Sequence, residues 1–257
     1  MRQEPYSPGP YRSLRELSLT GPVGSDTRRP PTFVGNPGSS APTAGVASHF
    51  LPVHLRFRAN ERRTDITAVP TKNDLRRLAL ARRDALPQDL RRDAATAVAA
   101  LPLPFPLQPG AVVAGYYPVR SELDPLPLLN RCAAAGMRLA LPRIAGRDRP
   151  LVFAGWHPGE ALTSGAYGLS EPPAQAETLD PHVVLLPLVA FDRRGHRIGY
   201  GAGYYDRSLK LLRARRPVLT VGVGFAIQEV DAIPAAAHDE KMDFVLTERD
   251  VIDLRRP

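Results

Sequence analysis

"HVVLLPLVAFDRRGHRIGYGAGYYDRSLKLLRARRPVLTVGVGFA", residues 182–226, holds a strand, a turn, a helix and a second strand in one run. Val183 to Phe191 is nearly continuous in apolar side chains, the pattern of a strand buried on both faces. "YYDRSLKLLRARR" reads as a helix and "PVLTVGVGFA" as the next strand. Strand, helix and strand in succession imply a layered α/β fold with a largely parallel sheet. Between the first strand and the helix lie three glycines at every second position, Gly199, Gly201 and Gly203, followed by Tyr204, Tyr205 and Asp206.

A glycine turn entering a helix lets backbone N–H groups approach an anion with no Cβ in the way, and the helix N-terminus adds partial positive charge. The spacing G-x-G-x-G is neither the dinucleotide fingerprint nor the Walker loop. By itself the turn is equally a device for close packing. Its neighbours carry chemistry: Arg197 can pair with a phosphate, Tyr204 and Tyr205 can line a flat ligand, and Asp206 at a helix start can offer an oxygen to Mg²⁺.

Outward from this run the same alternation continues. "TKNDLRRLALARRDALP" (71–87) predicts a first helix capped by Thr71 and ending near Leu86, and "PQDLRRDAATAVAAL" (87–101) a second. "AVVAGYYP" (111–118) reads as a buried strand, "VRSELD" as a loop, and Asp124-Pro125 as the start of a third helix ending at Gly136. "MRLALPRI" and "PLVFAGWHPG" are two more strands, and "DFVLTERDVID" predicts one closing strand.

Residues 1–70 differ in kind: "GSDTRRPPTFVGNPGSSAPTAGVASHF" is rich in Pro, Gly, Ser and Thr without a sustained period. Such a stretch buries too little apolar area to offset its ordering entropy, so a disordered extension is expected over 1–70, with a folded domain over 71–257. A translation start near Val53 or Val69 would omit most of it. The extension's nine Arg, five acids and no Lys supply half of the formal charge of +8, so basicity says little about the folded part. The basic residues form no recognised recognition motif, so nucleic acid is not an expected partner. The lone Cys132, set among Leu128, Leu129 and three alanines, excludes an internal disulfide framework and reads as core. No apolar run approaches the length of a membrane span, so a soluble cytoplasmic protein is expected. His196 and His238 belong to no triad-like arrangement.

"LLPLVAFDRRGHRIGYGAGYYDRSL" (185–209) resembles the signature of the 5-formyltetrahydrofolate cyclo-ligase family, also called methenyltetrahydrofolate synthetase. "KNDLR", "YYPVRSELD", "FAGWHPG", "YGLSEP" and "HDEKMDFVLTE" resemble further family blocks in the same order, so the likeness spans about residues 71–250. The resemblance implies a layered sandwich of the methenyltetrahydrofolate synthetase kind, NagB/RpiA/CoA-transferase-like, with a parallel central sheet flanked by helices. It implies ATP as co-substrate, Mg²⁺ as cofactor, and 5-formyltetrahydrofolate, in free or polyglutamylated form, as the partner of a monomeric enzyme.

Residue by residue, the resemblance assigns ATP to Lys72, Arg76, Arg197, Ile198, Gly199, Tyr200, Gly201, Ala202, Gly203, Tyr204 and Tyr205. From spacing alone, Lys72 and Arg76 merely share a helix face with other basic residues. The folate positions are Arg76, Tyr117, Glu122 and Tyr205, with Trp156 as a wall. A carboxylate such as Glu122 suits the donor edge of a reduced pterin, and aromatics suit its faces. Asp206 and Asp239 fall at the metal positions, and Arg197, Tyr205 and Asp206 are the catalytic candidates. Tyr200 and Ala202 stand where relatives often carry a basic residue and glycine, so this loop offers a triphosphate fewer cations. A family member that has lost the reaction and keeps ATP or folate binding for regulation is the alternative function.

Overall fold

The computed structural model describes residues 70–106 and 108–255. The extension expected over 1–70 lies outside them except for its last residue. Helix α1 (Lys72–Asp84) begins as its sequence predicts. The Thr71 hydroxyl accepts the Asp74 N–H at 3.2 Å, and the Asp74 carboxylate accepts the Thr71 N–H at 3.2 Å. This capping box satisfies two donors that a helix start otherwise leaves unpaired. Helix α2 (Gln88–Ala100) follows at Pro87 and buries Ala94, Ala95 and Val98. Strand β1 (Val112–Ala114) is shorter than the apolar run around it. The chain leaves the sheet at Gly115, where a Cβ would meet Leu129 at 2.5 Å.

Helix α3 (Leu126–Ala134) starts where Asp124 accepts the Leu126 N–H at 2.9 Å, and it buries Leu128, Leu129 and Cys132. Strands β2 (Arg138–Ile144) and β3 (Leu151–Gly155) form an antiparallel hairpin. A small ribbon of β4 (Thr163–Ser164) and β5 (Ser170–Glu171) comes next, then β6 (Val183–Pro187). Strands β7 (Ala190–Phe191) and β8 (Arg197–Ile198) make a second ribbon that leads through the glycine turn into helix α4 (Tyr204–Arg213). Strands β9 (Leu219–Val223), β10 (Phe244–Leu246) and β11 (Val251–Asp253) complete the chain.

The main sheet has seven strands in the order β11-β10-β9-β6-β1-β2-β3. Its five inner strands are parallel, and β11 and β3 are antiparallel edges. Side chains alternate across it as a pleat requires. Val113, Val183, Leu185, Val221 and Val223 pack under α2 and α3, while Val112, Ala114, Val184, Leu186 and Val245 pack against Leu209 and Leu212 of α4. A third cluster joins Ala79 of α1 to Val189, Ala190 and Ile198, which seats α1 on the β7–β8 ribbon. The expected α/β sandwich with a largely parallel sheet is thus observed.

Two expectations need correction. The apolar run 183–191 is two strands, since the prolyl residue at 187 offers no N–H to continue the ladder. Beyond it the carbonyl of Leu188 accepts from Gln228 Nε2 at 2.6 Å and Arg83 Nη1 at 3.2 Å, so side chains replace a neighbouring strand. The segment 243–253 is likewise a hairpin, turned where Thr247 Oγ1 donates to Asp250 Oδ1 at 2.8 Å.

Candidate functional site

Because β1, β2 and β6 run parallel, their carboxyl ends open at one edge of the sheet, the usual ligand position in open α/β folds. A cavity of about 760 Å³ lies there. Of the candidate ATP, folate, metal and catalytic residues named in the sequence, all but Trp156 line it. Helix α1 contributes Lys72 and Arg76, one turn apart, so their spacing does serve one wall.

One side of the cavity is built from the glycine turn. Gly201 (φ +100°) and Gly203 (φ +65°) hold conformations that L-residues rarely adopt, and Gly203 delivers the chain into α4. Arg76 Nε donates to the Gly199 carbonyl at 2.7 Å, which ties the turn to α1. A Cβ at Gly199 would meet nothing within 4 Å. Protein packing therefore leaves that position open, as a cradle for an incoming group would require. The Arg207 guanidinium lies 5.2 Å from the centre of the Tyr204 ring at the mouth.

Arg197 is not a free phosphate hook. Its side chain is 7% exposed, and its Nη2 meets Asp206 Oδ1 at 2.6 Å while Nη1 donates to the Glu240 carbonyl. The Glu240 N–H also donates to Asp206 Oδ1, at 3.1 Å. Arg197 thus aims a carboxylate as well as facing the cavity. Asp239 Oδ2 pairs with Lys72 Nζ at 2.5 Å and accepts the Ala236 N–H at 2.7 Å. Burial pushes the Asp239 carboxyl up, but the Lys72 and Ala236 hydrogen bonds and the Lys72 charge outweigh it and hold the group below the usual carboxylate range.

Among the described residues, no three His, Cys, Asp or Glu side chains gather as a metal cluster. Mg²⁺ does not need one, since it commonly takes one or two carboxylates, with phosphate oxygens and water completing its shell. Asp206 and Asp239 on one cavity wall have that chemistry, and Asp206 Oδ2 has no hydrogen bond among the described residues.

The opposite side is aromatic and acidic. Tyr117 is partly exposed to the cavity, and Glu122 is buried with its Oε2 accepting the Val119 N–H at 2.9 Å. Burial raises the Glu122 carboxyl above its ordinary value, against the pull of the Val119 N–H, Arg83, Tyr200 and Arg120. Burial and the Glu122 charge together push the Tyr205 hydroxyl well up, so it stays a hydrogen-bond donor at neutral pH.

Trp156 requires a correction. Strand β3 runs against β2, with Leu151 opposite Ile144 and Gly155 opposite Ala140, so the residue after β3 emerges at the far end of the sheet. There Trp156 packs with Leu139 and Leu141 in the core under α2 and α3, and its Nε1 donates to the Glu160 carbonyl at 3.2 Å. It lines a separate hollow.

Two residues at or beside the site are given no role by the sequence. Arg83 of α1 does not line the cavity but is fully buried and donates to Tyr200, which does. It falls eleven residues after Lys72 on the same helix stripe, which is the signal that could have found it. Tyr167, at φ +58° on the loop joining β4 to β5, stands over the mouth beside Tyr204. It opens the "YGLSEP" block, which is the signal that could have found it.

A glycine turn facing an acid-and-tyrosine pocket, at the carboxyl edge of a parallel sheet, is the arrangement of an α/β enzyme for small molecules. Residues 68–248 match the model of the 5-formyltetrahydrofolate cyclo-ligase family, and the chain belongs to that family. It is 36% identical over 194 residues to the 5-formyltetrahydrofolate cyclo-ligase of Mycolicibacterium smegmatis, covering 72% of this chain and 98% of that one. The Escherichia coli K12 protein of the same name is 32% identical over 170 residues, covering 62% of this chain and 88% of that one. The solution structure of Aquifex aeolicus 5,10-methenyltetrahydrofolate synthetase superimposes with a TM-score of 0.61 at 32% identity, over 72% of this chain and 94% of that one. The Mycoplasma pneumoniae synthetase, at 22% identity and a TM-score of 0.54 over 69% of this chain and 98% of that one, shares the fold. No helix among the described residues is long and apolar enough to cross a membrane.

Proposed function

We propose that the protein closes 5-formyltetrahydrofolate to 5,10-methenyltetrahydrofolate at the expense of ATP, releasing ADP and phosphate. One observation carries the reading: the glycine turn with Lys72 and Arg76 shares a continuous cavity with Tyr117, Glu122 and Tyr205, so two ligands can meet inside it. The family membership supports the reaction class.

The formamide oxygen of the substrate is a poor leaving group. In the proposed first step it bonds to the γ-phosphorus of ATP as the bond from that phosphorus to the ADP oxygen breaks. N10 of the folate then adds to the activated carbon, loses its proton, and the carbon–oxygen bond breaks with departure of phosphate. Neither step needs an enzyme nucleophile. The protein's task is to hold two ligands in contact, a contribution on the order of 7–11 kcal/mol for well-aligned reactants.

In this mechanism Glu122 accepts hydrogen bonds from the amino-pyrimidinone edge, and Tyr117 and Tyr205 cover the ring. Turn N–H groups, Lys72 and Arg76 meet the triphosphate, and Arg197 keeps Asp206 aimed at it. Asp206 and Asp239 are the residues that would hold Mg²⁺, which neutralises phosphate charge when bound. The enzyme is proposed to act as a cytoplasmic monomer on small molecules, accepting polyglutamylated folate.

The test is the near-ultraviolet absorbance of methenyltetrahydrofolate in purified protein given 5-formyltetrahydrofolate and Mg²⁺, with and without ATP. Product should form only with ATP and fall by about a hundredfold or more in Asp206→Ala. Folded wild-type protein that makes no product would sink the proposal.

A further inference from the structure

Arg83 is fully buried, yet its hydrogen-bond acceptors are neutral. Its Nε donates to Ser121 Oγ at 3.0 Å, Nη1 to the Leu188 carbonyl at 3.2 Å and Nη2 to the Tyr200 hydroxyl at 2.8 Å. Ser121 in turn donates to Asp84 Oδ1. A buried guanidinium without a directly bonded carboxylate is costly, by several kcal/mol per ion, and a fold that merely needed to fill this space would use an apolar side chain. The carboxylates nearest to it in the network are Asp84, reached through Ser121, and Glu122, one residue beyond Ser121, whose charge feels both Arg83 and the Tyr200 hydroxyl. The Tyr200 oxygen accepts from Arg83, so one guanidinium grips both Tyr200 and the residue before Glu122. Tyr200 sits in the glycine turn, between Gly199 and Gly201.

We propose that Arg83 and Tyr200 form a positioning link through which the glycine turn and the folate-side carboxylate Glu122 set each other's place, so that binding of ATP and folate is mutually reinforcing. The inference rests on the proposed reaction only for the identity of the two ligands. The link spans three parts of the chain: Arg83 near the end of α1, Ser121 and Glu122 in the loop after β1, and Tyr200 in the turn before α4. Folate drawn onto Glu122 fixes the loop that holds Ser121, Ser121 and Tyr200 share the Arg83 guanidinium, and Tyr200 then fixes the turn that cradles phosphate. A nucleotide in the turn does the reverse, as reciprocity of coupled binding demands.

Charge makes a second readout available. Glu122 is faced by Arg83 from α1, Arg120 from its own loop, Tyr200 from the turn, Tyr116 from the end of β1 and Tyr205 from α4. Burial raises its carboxyl, while Arg83 and the Tyr200 hydroxyl oppose that rise. Removing the hydroxyl lets burial win further. The carboxylate is then lost at a higher pH on acidification, and the acid limb of folate binding moves to higher pH.

The experiment is calorimetric titration of the whole protein with 5-formyltetrahydrofolate, with and without the non-hydrolysable β,γ-imido analogue of ATP, repeated across pH. In wild type the analogue should tighten folate binding by about fivefold or more. In Tyr200→Phe that gain should fall to within about twofold of none, measured against the variant's own affinity for folate alone, with the acid limb raised. Tyr200 is 43% exposed, so this variant keeps the fold. Arg83→Lys retains the charge without the three-pronged grip, and should lose the mutual gain with a smaller movement of the acid limb. Absence of any gain in wild type, or a wild-type gain retained in Tyr200→Phe, overturns the proposal. A protein that shows the gain but makes no methenyl product instead refutes the proposed reaction and leaves the link standing.

Discussion

Gly199 separates two reasons for using glycine. Its neighbours Gly201 and Gly203 have φ of +100° and +65°, so substitution there strains the backbone whatever binds nearby. Gly199 has no such conformation, and a methyl group on it would touch no protein atom within 4 Å. Only something entering the cavity needs that space. Gly199→Ala should therefore leave stability within about 0.5 kcal/mol in chemical denaturation. The same variant should raise KM for ATP about tenfold, the effect of roughly 1.4 kcal/mol of lost binding. An unchanged KM would show that phosphate does not approach the turn on this side. The glycine spacing, the tyrosines and Asp206 were legible in sequence because they are contiguous. The pairing of Arg197 with Asp206 and Glu240 was not, because it depends on the residue 240 loop folding back onto α4.

At the scale of elements, α1 joins stability to the site. Thr71 caps the helix, and the next residue, Lys72, reaches Asp239 at 2.5 Å. Thr71→Ala should cost about 1 kcal/mol of stability, read from a denaturation midpoint. It should also raise KM for ATP more than KM for folate, because fraying of the first turn moves Lys72 while Arg83, near the other end, keeps its partners. Equal changes in both constants would show that the cap acts through global stability alone. The cap was legible, since Thr71 and Asp74 have the spacing that a helix start requires. The break between β6 and β7 was not. An apolar run records burial, whereas strand continuity depends on which groups meet the carbonyls, and at Leu188 those groups are Gln228 and Arg83, far away in sequence.

Across the whole molecule, strand direction decides what can reach the cavity. The five parallel strands put their carboxyl ends at the cavity, and antiparallel β3 carries Trp156 to the opposite end. Trp156→Phe should thus lower stability by about 1–3 kcal/mol, as a core truncation does. It should leave KM for folate within about twofold of wild type in the methenyl absorbance assay. A tenfold rise in that KM would return the tryptophan to the folate wall.

The amino-acid sequence by itself determined the alternation of strands and helices, the helix starts, the glycine turn and the family. Each is written in local periodicity or contiguous residues, which act over a few positions of chain. Only the tertiary structure decided that Arg83 is buried between the glycine turn and the loop after β1, that Arg197 is committed to Asp206, and that Trp156 stands apart. Those three outcomes depend on contacts between segments tens of residues apart, and the direction of each strand and the packing of α1 on the β7–β8 ribbon choose them.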